Sequence, residues 1–319
     1  REFVPSDLRP AYESLVDHCI DHHPASENFT ACVLPFTTDL DTISEALFSL
    51  TIAGSNEYCG AAIRSAGQQL EWTATGDGAM RLLVIAGNEP FTQGPVDYRS
   101  AIADAVERGI VVSTIYCGRD EEGQASGWLH AAHLAGGDYS VIEQDRELIH
   151  IPCPQDEPLR RLNARLNETY LHYGTSGLEL SQRQQRMDDA NEAAAPAAML
   201  DRIAAKSSVG YRNASWDLVD RYETEGRDGL VDVDRSTLPD HVAHLSDDEL
   251  AAEVARLAGE RAGIRAEIQR LSDERLRHLD AQRQNAAAGD GQTLDDALVR
   301  SILERAAEFG FEDTNACSE

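Results

Sequence analysis

Three short stretches of the chain gather oxygen and sulfur donors where apolar runs stop. They are Ser55-Asn56-Glu57-Tyr58-Cys59, Gly87-Asn88-Glu89 and Cys117-Gly118-Arg119-Asp120. Hydroxyl, amide and carboxylate oxygens around one crevice suit a hard cation such as magnesium, manganese or calcium. Any of the oxygen-bearing side chains in these loops could be a ligand. Asn56, Glu57, Gly87, Asn88, Glu89, Arg119 and Asp120 would form a binding rim. A plainer reading stays open beside this one, in which Asn88 and Glu89-Pro90 turn the chain and cap the next helix. Covalent and cofactor chemistry has less to stand on. There is no GxSxG elbow, no GxxxxGK[ST] loop, no HExxH and no GxGxxG after a strand,. No base is assigned to Cys59 or Cys117, so no catalytic residue is named.

The elements that would position these residues follow from periodicity. Residues 80–87 (MRLLVIAG) and 110–118 (IVVSTIYCG) are continuously apolar, as parallel strands covered on both faces must be,. Between them, VDYRSAIADAVERG reads as an amphipathic helix closed by Gly109,. SGWLHAAHLAGG gives the next helix and DYSVIEQD a further strand-like patch. A short apolar run at 31–36 (ACVLPF) precedes a helix with Ile43, Leu47 and Leu50 on one side. Strands alternating with helices imply βαβ units and a mostly parallel sheet, whose ligand crevice lies beyond the strand carboxyl ends.

After Pro154 the lettering turns helical. DEPLRRLNARLNETYLHYG predicts a helix ending near Gly174, and the Ala-rich stretch after it predicts a helix broken at Pro196,. Trp216, Leu218 and Val219 form an apolar patch that could dock on the sheet domain. Ser246 and Glu249 form a capping box ahead of Leu250, Leu257, Ile264 and Leu271, which recur every seven residues,. Arg261 and Arg275 interrupt that seam. A helical hairpin with residues 294–311 explains them better than a coiled coil, with a partner helix as the runner-up. The resulting division is 1–30, of unclear role; 31–153, α/β; 154–245, a helical connecting region; and 246–319, a helical hairpin or coiled-coil-like tail.

Composition narrows the partners. The chain carries 28 Lys+Arg against 56 Asp+Glu, a formal charge of −28, and Lys206 is its single lysine. Such a surface repels phosphate backbones, which excludes nucleic acid as the expected partner. Divalent cations, basic partners or a salty habitat suit it better. No run of about 18 apolar residues is present, so no membrane span is expected. The six cysteines show no CxxC spacing,. Cys19 could pair with Cys32, and Cys59 with Cys117, with buried free thiols as the alternative. Pairing would favour export to the periplasm or cell surface over the cytoplasm. His18, His22 and His23 beside Cys19 could share a helix face for a metal or be a solvated helix end,. Three Asn-x-Ser/Thr triplets, at Asn28, Asn167 and Asn213, matter only in a glycosylating host,.

The phrases PFTTDLDTISEALFSLTIAGSNEYCGAAI and RLLVIAGNEPFTQGPVDYRSAIADAVERGIVVSTIYCG resemble the von Willebrand factor type A domain, in a bacterial branch carrying GSNEYCG and GNEPFTQGPVDY. The resemblance runs over most of residues 31–311, through LAGGDYSVIEQD, LNETYLHYG and SWDLVD. It implies a doubly wound, Rossmann-like α/β fold with an all-α C-terminal extension. It also implies a metal-ion-dependent adhesion site built from a DxSxS loop, a threonine and an aspartate. No DxSxS occurs in this sequence, and Ser55 falls at the threonine position and keeps a hydroxyl ligand. Gly87 falls where the aspartate belongs, so the resemblance leaves Ser55, Asn88 and Glu89 as the candidate metal ligands, with Asn88 or Glu89 substituting for the aspartate. The first strand is missing from the pattern, and the expectation is a fragment of a longer protein, the alternative being a domain beginning that has diverged within residues 1–30. Magnesium or calcium could still bind, but no cation is the preferred expectation. The reading is a non-enzymatic protein-interaction or adhesion module with a degraded metal site. The alternatives are a metal-assisted hydrolase using strand-end carboxylates and a structural protein that forms homo-oligomers through its helical tail.

Overall fold

The structure is a computed structural model that describes residues 33–50, 57–74, 79–142 and 151–285, together with residues 302–303, 305–307 and 309. Ser55, Asn56, Cys19, Cys32, His18, His22, His23 and Asn28 lie outside the described residues. The chain divides into two compact units. One comprises Asp39–Glu45 and Ile149–Ala288, and the other includes Ala46–Leu148 and Gly289–Glu319.

Among the described residues of the sheet unit, three parallel strands lie in the order β1 (Leu82–Gly87), β2 (Val111–Cys117), β3 (Gly136–Ile142). Leu82 stands opposite Val111 and Gly87 opposite Tyr116, while Cys117 stands opposite Ile142. The carboxyl ends of β1 and β2 therefore finish side by side. β2 is central, and Val112–Tyr116 are all buried. In β1 only Leu83 is buried, short of the two-sided cover its lettering predicts, because among the described strands it pairs with β2 alone. The helices of this unit are α2 (Cys59–Gln69), α3 (Tyr98–Glu107), α4 (Asp120–Ala125) and α5 (Trp128–Leu134). Ile63, Ala66, Phe91, Ile102, Val112 and Trp128 form the core between helices and sheet. Asp97 caps α3 by accepting the Arg99 amide at 3.3 Å,. Gly109, at φ +72°, ends it in the left-handed conformation that a side chain would oppose,. The apolar run at 31–36 makes no strand over its described residues, and Phe36 instead packs edge-on against Trp72, ring centroids 5.0 Å apart.

The helical unit holds the first turns of α1 (Leu40–Ser49) and then α6 (Asp156–Asn167), α7 (Gly177–Ala194), α8 (Pro196–Ser207), α9 (Leu218–Glu225), α10 (Asp240–Ala243) and α11 (Asp247–Asn285). Pro196 breaks the Ala-rich stretch and opens α8, where its missing N–H costs nothing,. The capping box of α11 is formed, with Glu249 accepting from the Ser246 amide at 2.9 Å. Leu159, Leu200, Ile203, Ile264 and Ile268 make one core, and Leu171, Leu218, Val219, Leu250 and Val254 another. The described part of the connecting region and residues 246–285 therefore share one unit.

Three expectations change here. The helix after Pro154 stops at Asn167, well before Gly174, because the Leu171 amide bonds the Asp217 carboxylate at 2.8 Å and the Leu171 carbonyl accepts the Leu218 amide. Trp216, Leu218 and Val219 are buried within the helical unit's own interior. The arginines in the heptad seam find carboxylate partners within the helical unit. Arg261 bonds Asp217 and Asp220, and Arg275 bonds Asp156. In the 294–311 segment Arg305 pairs with Asp138 and bonds the Gly136 carbonyl, both in the sheet unit. Two of the Asn-x-Ser/Thr asparagines, Asn167 and Asn213, are used within the helical unit. Asn167 is bonded to Lys206 and Asp188, and Asn213 is buried.

Candidate functional site

The strand-end rim is organised by one carboxylate. Glu57 stands two residues ahead of α2, and its Oε2 accepts the backbone N–H of Asn88 at 3.1 Å and of Glu89 at 3.3 Å. Two successive amides converging on one oxygen make an anion nest at the end of β1. The backbone of Glu57 is fixed in turn, since its N–H donates to the Gln93 side chain. A Cβ at Gly87 would lie 2.2 Å from Glu57 Oε2 and 3.0 Å from Trp128 Cη2. Position 87 is glycine because the Glu57 carboxylate and the Trp128 ring already fill the space.

Beneath the rim, Trp128 donates its indole N–H to the Glu89 carbonyl at 2.9 Å, tying α5 to the turn after β1. Phe91 packs edge-on against both Trp128 and Tyr98, at 4.9 and 5.2 Å between centroids. Tyr98 hydroxyl lies 2.8 Å from His130 Nδ1, which gives that histidine a packing role on α5. This rigid aromatic floor holds the turn Gly87–Pro90 in place.

The thiols are not activated. Burial, and then the Glu57 charge, pushes Cys59 up to about 12, and the same two causes raise Cys117. A thiol is a weak nucleophile and a weak metal ligand unless ionised, and both influences here oppose ionisation. The expected Cys59–Cys117 bridge is corrected. Both are free thiols, Cys59 being committed to the hydrophobic core from the first turn of α2.

The remaining candidates sort by exposure. Asn88 is exposed and Glu89 half-buried at the end of β1. Arg119 and Asp120 are exposed beyond β2, where Arg119 pairs with Glu122 and Asp120 accepts from Gln124 at 2.9 Å and Tyr139 at 3.0 Å. Among the described residues no three His, Cys, Asp or Glu side chains are grouped to hold a metal. Sequence reasoning ranked Glu57 as one rim residue of several and passed over Gln93 and Trp128. The available signal was the glycine at 87, which implies a neighbour occupying the space of its missing side chain.

No protein-family model matches the chain, and no curated protein and no solved structure is significantly similar to it. Among the described residues the architecture is an α/β sheet of three parallel strands flanked by helices, with a helical C-terminal region. No helix among the described residues is long and apolar enough to cross a membrane.

Proposed function

We propose that the chain is a non-enzymatic protein-interaction module of the von Willebrand factor type A kind, presenting the strand-end rim to a protein partner without a cation. A parallel α/β sheet hosts many unrelated activities, so the reading rests on the site and on the resemblance of its phrases. The observation that carries it is the Glu57 carboxylate. It stands against Gly87, the position where the resemblance implies a metal-holding aspartate, and backbone amides already engage its Oε2. The residues at hand do not fit the family's cation shell, because position 87 has no side chain and the nearest carboxylate is spent on the backbone. What remains at the rim is a fixed turn bearing Asn88 and Glu89, with Arg119 and Asp120 beyond β2. Fixed, partly charged side chains on a rigid floor suit recognition of a protein surface, where complementary charge sets specificity.

The test is affinity capture from the native host's extract on immobilised wild-type protein and on the rim variant Asn88→Arg/Glu89→Arg. The expected result is a protein retained by the wild type and lost from the variant, with unchanged variant melting temperature and no release by EDTA. Identical retention on both columns, or elution of the partner by EDTA, sinks the proposal.

A further inference from the structure

Lys206 is the single lysine among 28 basic residues, and it is completely buried. A chain that uses arginine at every other basic position could have used it here for a simple ion pair, where the planar guanidinium is the better partner. Lysine alone offers an amine that can lose its proton and become a nucleophile. Its surroundings are equally specific. Nζ lies 2.6 Å from Asn167 Oδ1 and 2.7 Å from Asp188 Oδ2. The same Oδ2 accepts the Asn167 carboxamide N–H at 2.8 Å and the Asn163 amide at 3.1 Å. Arg202 holds the other carboxylate oxygen at 2.6 Å. One carboxylate oxygen therefore touches both an amine and the nitrogen that would leave a neighbouring carboxamide, with Lys206 and Asp188 buried and Asn167 half-buried.

We propose that Lys206 and Asn167 join in an intramolecular amide bond, with Asp188 as the proton carrier. Asp188 Oδ2 takes a proton from the Lys206 ammonium, and the freed Nζ lone pair attacks Cγ of Asn167, moving the carbonyl pair onto Oδ1. The carbonyl then re-forms, the Cγ–Nδ2 bond breaks, and Nδ2 departs. It leaves as ammonium, carrying its own two hydrogens and two from Lys206, one of them passed through Asp188. One ammonium and one carboxamide become one secondary amide and one ammonium, so no oxidant, reductant or cofactor is consumed. Holding the amine at hydrogen-bond distance from the carboxamide gives the high effective concentration that makes such an exchange fast enough to matter. Loss of ammonium to solvent drives it forward.

The charged groups facing Nζ bear on its timing. Asp188 and Asp41 favour the ammonium and Arg202 opposes it, but burial dominates and brings Lys206 down to about 8. Burial works against ionised Asp188, yet Lys206 and Arg202 outweigh it and hold the carboxyl down to about 2, so Asp188 is a carboxylate of low basicity that carries the proton only transiently. The product would tie the end of α6 to α8 across 39 residues of sequence. Closing that loop restricts the unfolded chain as a disulfide does, and no reductant could open it.

Mass spectrometry of the full chain decides the matter. The folded wild type, denatured, should weigh one ammonia less than its sequence, and proteolysis should yield a branched peptide joining residues 167 and 206. Succinimide formation at Asn167 loses the same ammonia without a branch, so the branched peptide is the deciding signal. Lys206→Arg should give no branch. Asp188→Asn, if folded by circular dichroism, should form it far more slowly, and a folded Asp188→Asn chain that branches as fast as wild type overturns the proton-carrier role. Should that variant fail to fold, wild type against Lys206→Arg still decides. The proposal is overturned outright if wild-type Lys206 is recovered only in an unbranched peptide after prolonged incubation at about pH 9, where the amine is mostly neutral.

Discussion

At the scale of single residues, Gly87 and Glu57 form a coupled pair. Adding one methyl at position 87 forces it into a carboxylate oxygen at 2.2 Å and an indole edge at 3.0 Å. Overpacking of this kind costs about 1–3 kcal/mol. Gly87→Ala is therefore expected to destabilise the sheet unit by that amount, and by less than half as much when Glu57→Ala has removed the nearer contact. Urea unfolding of the four chains of the double-mutant cycle measures the difference. Equal costs in both backgrounds would mean that Glu57 does not dictate the glycine. The lettering of positions 87–89 showed in the sequence that a strand end stood there and that an acidic ligand was lacking at 87. It could not show that Glu57, 31 residues before Asn88, reaches into the gap. That placement depends on α2 and β1 packing together, which periodicity does not record.

At the scale of elements, α11 owes its place to a charge in its seam as much as to its leucines. Arg261 is fully buried, donates to Asp217 and Asp220 at 2.5 and 2.8 Å, and lies 4.2 Å over the Tyr170 ring. Its third partner is the Thr169 carbonyl, just past the end of α6. Burial pushes Asp217 up and Arg261 opposes that push, so the carboxylates depend on the guanidinium remaining. Removing one partner of a buried pair costs about 3–5 kcal/mol, because the other charge is left uncompensated. Arg261→Met should lose that much by denaturant titration. Arg256→Met, on the exposed side of the same helix with Glu253 and Glu260, should stay within about 0.5 kcal/mol of wild type,. Comparable losses in the two variants would refute the buried-clamp account. The heptad and the capping box were legible because both are local patterns. The need met by Arg261 was not, since its carboxylates stand 44 and 41 residues away on α9 and its cap.

At the scale of the molecule, the chain's excess of acid conceals an interior where charges are paired. In the helical unit Asp41 is buried and accepts from the Tyr211 hydroxyl at 2.7 Å and pairs with Arg202 at 2.8 Å. Thr42 accepts from Arg183 at 2.7 Å. The first turn of α1 is thereby fastened to helices more than 140 residues later in the chain. Ile264, buried in the core with Leu159, Leu200 and Ile203, lies in the middle of α11. Replacing it by aspartate buries a charge without a partner, a cost that this core cannot absorb. If the unit unfolds as one, Ile264→Asp should raise hydrogen exchange together in α6–α9, in α11 and in the first turn of α1. β1–β3 and α3 should keep their protection, as expected of separate cooperative units. Simultaneous loss of protection in the strands would show that the two units fold as one. If instead only α11 exchanged and the first turn of α1 stayed protected, the buried Asp41 pairing would be strong enough to hold its helices without α11's core.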